Sequence, residues 1–312
     1  MQADHYNGLI AVWKEQGYTS HDVVAKLRGI LHQKKIGHTG TLDPQAEGVL
    51  AVGLGLGTKT FDLLPDHWKT YEAEVTFGVQ TDTEDIWGNV LKTHDVSKTP
   101  EEIIQAICSF GGTYDQIPPM YSAKKIDGKK LYQLAREGKI VERKAVPVTL
   151  KDIQVLSVKD NKARFIVTCS AGTYIRTLCV DIGKKLGCEA CMSSLTRVMA
   201  GGFSKEQALT LEKIKELADK NELESRLSSI DTALGHFPKV IASNEFEKQL
   251  KNGNAIGSNA VLGLQEASID VCSHDICMRL YLNNNGLDEF IGVYHLDKSS
   301  RLLKPVKIFY RN

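Results

Sequence analysis

Residues 37–60 constrain this chain more tightly than any others. The stretch GHTGTLDPQAEGVL (37–50) runs into the apolar segment Val49–Val52 and then into GLGLGTKT (53–60). Val49–Leu56 is apolar and reads as a strand. Glycines inside such a strand let it pass close to another backbone. A phosphate-loop reading fails on spacing. A Walker A loop needs four residues between its first glycine and a Gly-Lys pair, and here Thr58 separates Gly57 from Lys59. The dinucleotide pattern G-x-G-x-x-G fails too, because its third glycine would fall on Thr58 or Thr60. No nucleotide cofactor is expected from this loop.

Within Gly37–Gly48, which reads as a loop, stands Asp43. It is followed by proline, as turn-forming aspartates often are, and His38 is the one close residue that could assist it in chemistry. It is either a structural cap or a catalytic group. Glycoside hydrolysis needs two carboxylates, and the loop offers only Asp43 and Glu47. No G-x-S-x-G elbow and no H-x-x-x-H metal pattern occurs in the chain. What remains is a lone carboxylate nucleophile, which needs a cation to hold it ionised and aimed. The segment SAGTYIRTL (170–178) supplies a candidate: a strand ends, a glycine turns the chain, and Arg176 falls in the first turn of a helix. The alternative is a surface arginine at a helix start.

Strands are expected at 8–14, 49–56, 71–77, 148–158, 163–169 and 198–204, by apolar alternation. Helices are expected after Thr19 or Ser20, over 100–110, 131–137 and 173–186, and after Thr210. Several strands are joined by turns rather than crossover helices. That predicts an α+β fold with a mixed, largely antiparallel sheet flanked by helices. A boundary near 234–238 divides 1–235 from 236–312, where AVLGL, CMRLYLN, EFIGVYHL and LLKPVKIFY predict a small β-rich domain. The 312 residues suit two domains, and 42% hydrophobic with 25% charged residues suits a full core. No apolar run reaches the ~20 residues of a membrane span, and the N-terminus lacks a secretory pattern, so a cytoplasmic protein is expected.

Seven cysteines are scattered, which does not resemble a disulfide framework. Cys188 and Cys191 form a C-x-x-C in helix-like sequence, and Cys272 and Cys277 bracket His274. Small buried thiols are favoured over a zinc site. The net charge is +1, but basic doublets recur at 34–35, 124–125, 129–130, 143–144 and 184–185. They point to a polyanionic partner.

The segment GHTGTLDPQAEGVLAVGLGLGTK resembles the signature motif of the bacterial tRNA pseudouridine-55 synthases, the TruB family. KTYEA (69–73), TDTEDIWGNV (81–90), QIPPMYSAKKIDGKKLYQLAREG (116–138), GTYIRTL (172–178) and LTR (195–197) match the family's other motifs in order, over about residues 8–235. The resemblance implies the pseudouridine synthase fold, with a PUA-like RNA-binding domain in the C-terminal tail. It implies isomerisation of the T-loop uridine at position 55 of tRNA, on a flipped-out base, with no cofactor and no metal. By the same resemblance Asp43 is the catalytic aspartate, Arg176 its partner, and Tyr71 the tyrosine that stacks on the base and assists proton removal. His38 would help hold the RNA, Tyr174 and Leu195 would line the uridine pocket, and Lys14 and Lys59 are substrate-binding positions. Glu15 stands where the family has proline after Lys14. Asp43 would attack C1′ or C6, or remove the C2′ proton; the residues do not choose. The acidic stretch 81–85 is expected to form a structural turn or face away from RNA. The expected partner is the tRNA T-arm, bound by a monomer with no membrane and no nucleotide cofactor.

Overall fold

Two apolar strands, β1 (Gly8–Lys14) and β3 (Glu47–Leu54), pair antiparallel over their whole length, from Gly8 opposite Leu54 to Lys14 opposite Gly48. Both are almost wholly buried. This is a computed structural model, and it describes residues 5–64, 68–126, 128–262, 277–284 and 286–310. Between the two strands runs helix α1 (Ser20–Ile30). Thr19 caps it: its hydroxyl accepts from the Asp22 amide at 3.1 Å, while the Asp22 carboxylate accepts the Thr19 amide at 2.9 Å. The helix packs Val23, Val24 and Leu27 onto Ile10, Val12, Leu50 and Val52. Part of the expected loop is itself a strand, β2 (Ile36–Thr39), laid on β3. The loop proper is therefore 40–46.

The alternating segment after the glycines becomes β4 (Lys69–Phe77). A small hairpin, β5 (Val79–Thr81) and β6 (Val90–Thr93), follows it. Next come α2 (Pro100–Cys108), capped by Thr99, and the edge strand β7 (Gly112–Gln116). A two-residue hairpin, β8 (Lys125–Ile126) with β9 (Lys129–Lys130), leads into α3 (Leu131–Arg136). The expected long hairpin is present as β10 (Val146–Lys159) and β11 (Lys162–Cys169). Helix α4 (Ile175–Leu186) stops at Gly187, whose φ of 72° is the left-handed cap glycine tolerates best. Strand β12 (Ala190–Ala200), the short β13 (Phe203–Ser204), α5 (Leu211–Asp219) and α6 (Ile230–Ala233) complete this part.

Among the described residues these strands form one nine-stranded sheet in the order β1-β3-β12-β4-β11-β10-β7, with β2 on β3 and β13 on β12. Every pairing in it is antiparallel except β12 on β3, which is parallel at Thr196–Glu47 and Arg197–Gly48. One expectation is corrected here. Strand β12 begins at Ala190, not at 198, so Cys191 lies in a central strand rather than in a helix. The segment ACMSSLTRVMA is paired along both edges, and that tertiary setting overrides its weak local preference. The glycines of 53–57 do allow close backbone approach. A Cβ built on Gly57 would stand 2.0 Å from the Gly8 carbonyl oxygen.

Beyond α6 lies a second sheet: β14 (Lys239–Ala242), β15 (Ile256–Gly257), β16 (Val261–Leu262), β17 (Cys277–Asn284), β18 (Leu287–Asp297) and β19 (Leu302–Ile308). Its order is β15-β19-β18-β17-β14-β16, around a core that includes Leu250, Met278, Leu280, Tyr294 and Leu303. A separate apolar cluster, Leu9, Leu56, Leu64, Ile230, Leu234, Val293 and Phe309, joins it to the first sheet. Gly263 and Leu264 of the expected strand AVLGL, and Cys272 and His274 of the drawn zinc site, lie outside the described residues.

Candidate active site

Asp43 sits in the short connection between β2 and β3, and two buried cations hold that connection in place. Arg197, on β12, is fully buried. Its Nε donates to the Val49 carbonyl at 2.7 Å, and its Nη2 and Nη1 donate to those of Gly40 at 3.0 Å and Thr41 at 3.4 Å. Lys14, at the end of β1, is equally buried and donates to the carbonyls of Tyr18 at 2.6 Å, Glu15 at 3.1 Å and Pro44 at 3.1 Å. Burial pushes its ammonium down to about 8. The Leu42 amide adds a bond to the Ser20 hydroxyl at 2.9 Å. Gly48 is indispensable to the packing: its φ is 122°, and a Cβ there would stand 2.2 Å from the Arg197 carbonyl oxygen.

Arg176, in the first turn of α4, reaches the loop with a two-pronged grip. Its Nε donates to Asp43 Oδ2 at 2.8 Å and its Nη2 to Oδ1 at 3.3 Å. Its remaining donors go to the carbonyls of Thr83 at 2.9 Å and Tyr121 at 2.8 Å. The Arg176 side chain is 6% exposed and that of Asp43 39%. The cation is therefore sealed in while the carboxylate it aims faces an opening. Side-on guanidinium–carboxylate pairing of this kind fixes direction as well as charge.

The acidic stretch 81–85 forms a structural turn against Arg176. Asp85 lies 4.0 Å from Arg176 Nε and accepts from the Thr83 hydroxyl at 2.7 Å. Glu84 accepts from Thr177 at 2.6 Å. Burial pushes both carboxyls up. Asp82 is held by Asn89.

Tyr71 on β4 is buried, in one cluster with Leu42, Ile175 and Leu195, and burial pushes its phenol up. Leu195 pairs across to Ala73. Tyr174 precedes α4, and the Gln116 side chain binds both its amide, at 2.8 Å, and its carbonyl, at 3.0 Å. His38 on β2 is half-buried, its Nδ1 has no hydrogen-bond partner among the described residues, and burial pushes its imidazole down. Two of the expected residues are turned elsewhere. Lys14 lies under the loop on carbonyls, and Lys59 Nζ donates to the Ile308 carbonyl in the C-terminal sheet at 3.0 Å. Arg197, Thr83, Tyr121 and Gln116 were quoted within motifs but given no role. Their contributions run through contacts 55 to 157 positions apart, which no local pattern reports. Among the described residues no three histidine, cysteine or acidic side chains gather as metal ligands.

This fold is that of the pseudouridine synthases. The chain aligns with a solved structure of a Cbf5-Nop10-Gar1 complex at a TM-score of 0.70 and 25% identity, covering 97% of this chain and 85% of that one. The model of the TruB family pseudouridylate synthase N-terminal domain matches residues 28–175, and that of the tRNA pseudouridylate synthase B C-terminal domain matches 176–235. Proteins named tRNA pseudouridine synthase B are similar over nearly the whole chain. That of Alkaliphilus oremlandii is 43% identical over 307 residues, and that of Lachnoclostridium phytofermentans 46% over 311; each alignment covers 97% of this chain and 99% of the relative. The chain belongs to the TruB family of pseudouridylate synthases.

Proposed function

We propose that this chain isomerises the T-loop uridine at position 55 of tRNA to pseudouridine, with Asp43 as the nucleophile. The names of its relatives support tRNA as the substrate, and the position follows the family resemblance of the signature motif. The observation that carries the chemistry is the pairing of an accessible Asp43 with a sealed Arg176. In the reaction the N1–C1′ bond breaks, the uracil rotates, C5 bonds to C1′, the proton on C5 leaves, and the freed N1 takes up a proton. No atom is gained or lost overall, so the protein's task is to bind, to aim a carboxylate and to relay one proton.

The target base must first leave its stack, at a cost of a few kcal/mol. Tyr71 and Leu195, one cluster beneath the loop, offset part of that by apolar contact. Burial makes the Tyr71 phenol a weaker acid than usual, so it stays neutral. A neutral phenol suits stacking and a proton relay through water better than direct abstraction. Residues 1–235 form the catalytic domain in this reading, and 236–312 a PUA-like domain that grips the T-arm. The enzyme works as a cytoplasmic monomer. Among the described residues no helix is long and apolar enough to cross a membrane.

The test is pseudouridine formation on an unmodified tRNA transcript, wild type beside Asp43→Asn. Product at position 55 from wild type alone, with tRNA still bound by both proteins, is the expected result. Near-equal rates from both would remove Asp43 from the chemistry.

A further inference from the structure

Two cationic side chains, Arg197 and Lys69, crowd the start of the Asp43 loop beside the half-buried His38. Lys69 opens β4, two residues before Tyr71, so the two side chains leave the same face of the strand. Its Nζ stands 3.0 Å from the point a Cβ on Gly40 would occupy, and Arg197 Nη1 stands 3.4 Å from that same point. Lys69 is half-buried, and burial together with the Arg197 charge pushes its ammonium below the usual lysine range. The one potentially anionic group acting on it is the Cys169 thiol, itself pushed up to about 11 by burial and therefore neutral.

Lys14 is more deeply buried, and its ammonium donates to three carbonyls. Lys69, among the described residues, makes no hydrogen bond and no ion pair. A desolvated cation beside a like charge, with its donors unused, opposes folding rather than supporting it. Such a group is retained where an external anion completes it. The neighbouring His38 carries a buried Nδ1 that is likewise without a partner.

We propose that Lys69 receives a phosphodiester of the RNA beside the nucleotide that Asp43 attacks, with Arg197 adding positive charge behind it and His38 lining the same pocket as a neutral ring. This rests on the RNA substrate named above. Lys69 is thereby a positioning residue: it sets where the backbone of the flipped nucleotide lies relative to Asp43.

The experiment compares full-length wild type, Lys69→Met and Lys69→Arg on a T-arm stem-loop RNA. It reads Kd across about 50–200 mM salt and the melting temperature of each protein alone. Loss of one phosphate contact lowers the slope of log K against log salt by close to one. Lys69→Met is expected to show that shallower slope and a Kd raised about tenfold at low salt. It is also expected to melt no lower than wild type, because the variant loses a desolvation cost and no bond. Lys69→Arg should restore the slope. An unchanged slope in Lys69→Met overturns the proposal. So does a lower melting temperature, which would make Lys69 a structural prop. The slope reads the phosphate contact whether or not pseudouridine forms, so a wild type that binds RNA without product counts against the functional reading alone.

Discussion

Arg176→Lys separates aiming from charge. The guanidinium makes four bonds: two to the Asp43 carboxylate at 2.8 and 3.3 Å, and one each to the Thr83 and Tyr121 carbonyls at 2.9 and 2.8 Å. A lysine ammonium keeps the charge but cannot fork around a carboxylate while also reaching two carbonyls on opposite sides. At least one carbonyl is left unpaired in a buried place, at about 1–3 kcal/mol. The 3.3 Å bond to Asp43 is lost as well, at about 1 kcal/mol. The variant should therefore be less stable by about 2–4 kcal/mol yet still folded. The effect on rate comes from direction: a displacement of about 1 Å in a reacting group costs on the order of a hundredfold. Single-turnover pseudouridine formation with enzyme in excess should fall by about that factor, while Kd for tRNA stays within about threefold, since Arg176 is sealed from the surface. A rate within threefold of wild type, in a protein shown to be destabilised, would refute the reasoning: Asp43 would then be aimed by its loop and not by Arg176.

Gly48→Ala should cost several kcal/mol, on the order of 3 or more, because its Cβ would meet backbone of β12 rather than a movable side chain; a chemical denaturation midpoint near wild type would contradict the packing described. Lys14 predicts opposite pH trends for activity and stability. Its ammonium titrates at about 8 in the fold against 10.5 when free, so wild-type activity should fall as pH rises through about 8 and the loop loses a donor. Between about 8 and 10.5 the unfolded chain binds the extra proton, so folding releases it and this group favours the fold more as pH rises. The unfolding free energy of wild type minus that of Lys14→Met should grow across that window, and a flat difference would rule out the shifted titration.

Local signals carried much of the fold. Alternation located β4 to within two residues, and the threonines at 19, 99 and 210 each cap the helix that follows. Asp43 and Arg176 were legible singly, one as an odd carboxylate in a glycine loop and the other as an arginine opening a helix. Their pairing, 133 positions apart, was expected from a lone carboxylate's need for a cation and from the family resemblance, not from any local pattern. Strand β12 was half missed because its burial comes from neighbours on both edges and not from its own pattern. Lys14 and Lys59 were expected to bind substrate, and the carbonyls they hold were not legible for the same reason. A sequence window cannot show an ammonium turned onto a carbonyl 30 or 249 positions away. Arg197 is the sharpest case, since a buried arginine that donates to three backbone carbonyls gives no partner residue type to look for at those bonds.

The single parallel pairing of the main sheet has a temporal consequence. It joins Thr196 and Arg197 to Glu47 and Gly48, and the loop that carries Asp43 gains its central guanidinium only through it. On the ribosome, chain growth delivers Asp43 early and Arg197 some 150 residues later. Strands β1 and β3 can pair as soon as they emerge, and Lys14 and Ser20 can already hold the loop between β2 and β3, but its guanidinium bonds wait until β12 arrives. Closing so long a segment is slow. A nascent or prematurely terminated chain thus holds Asp43 without the Arg176 and Arg197 bonds that frame it.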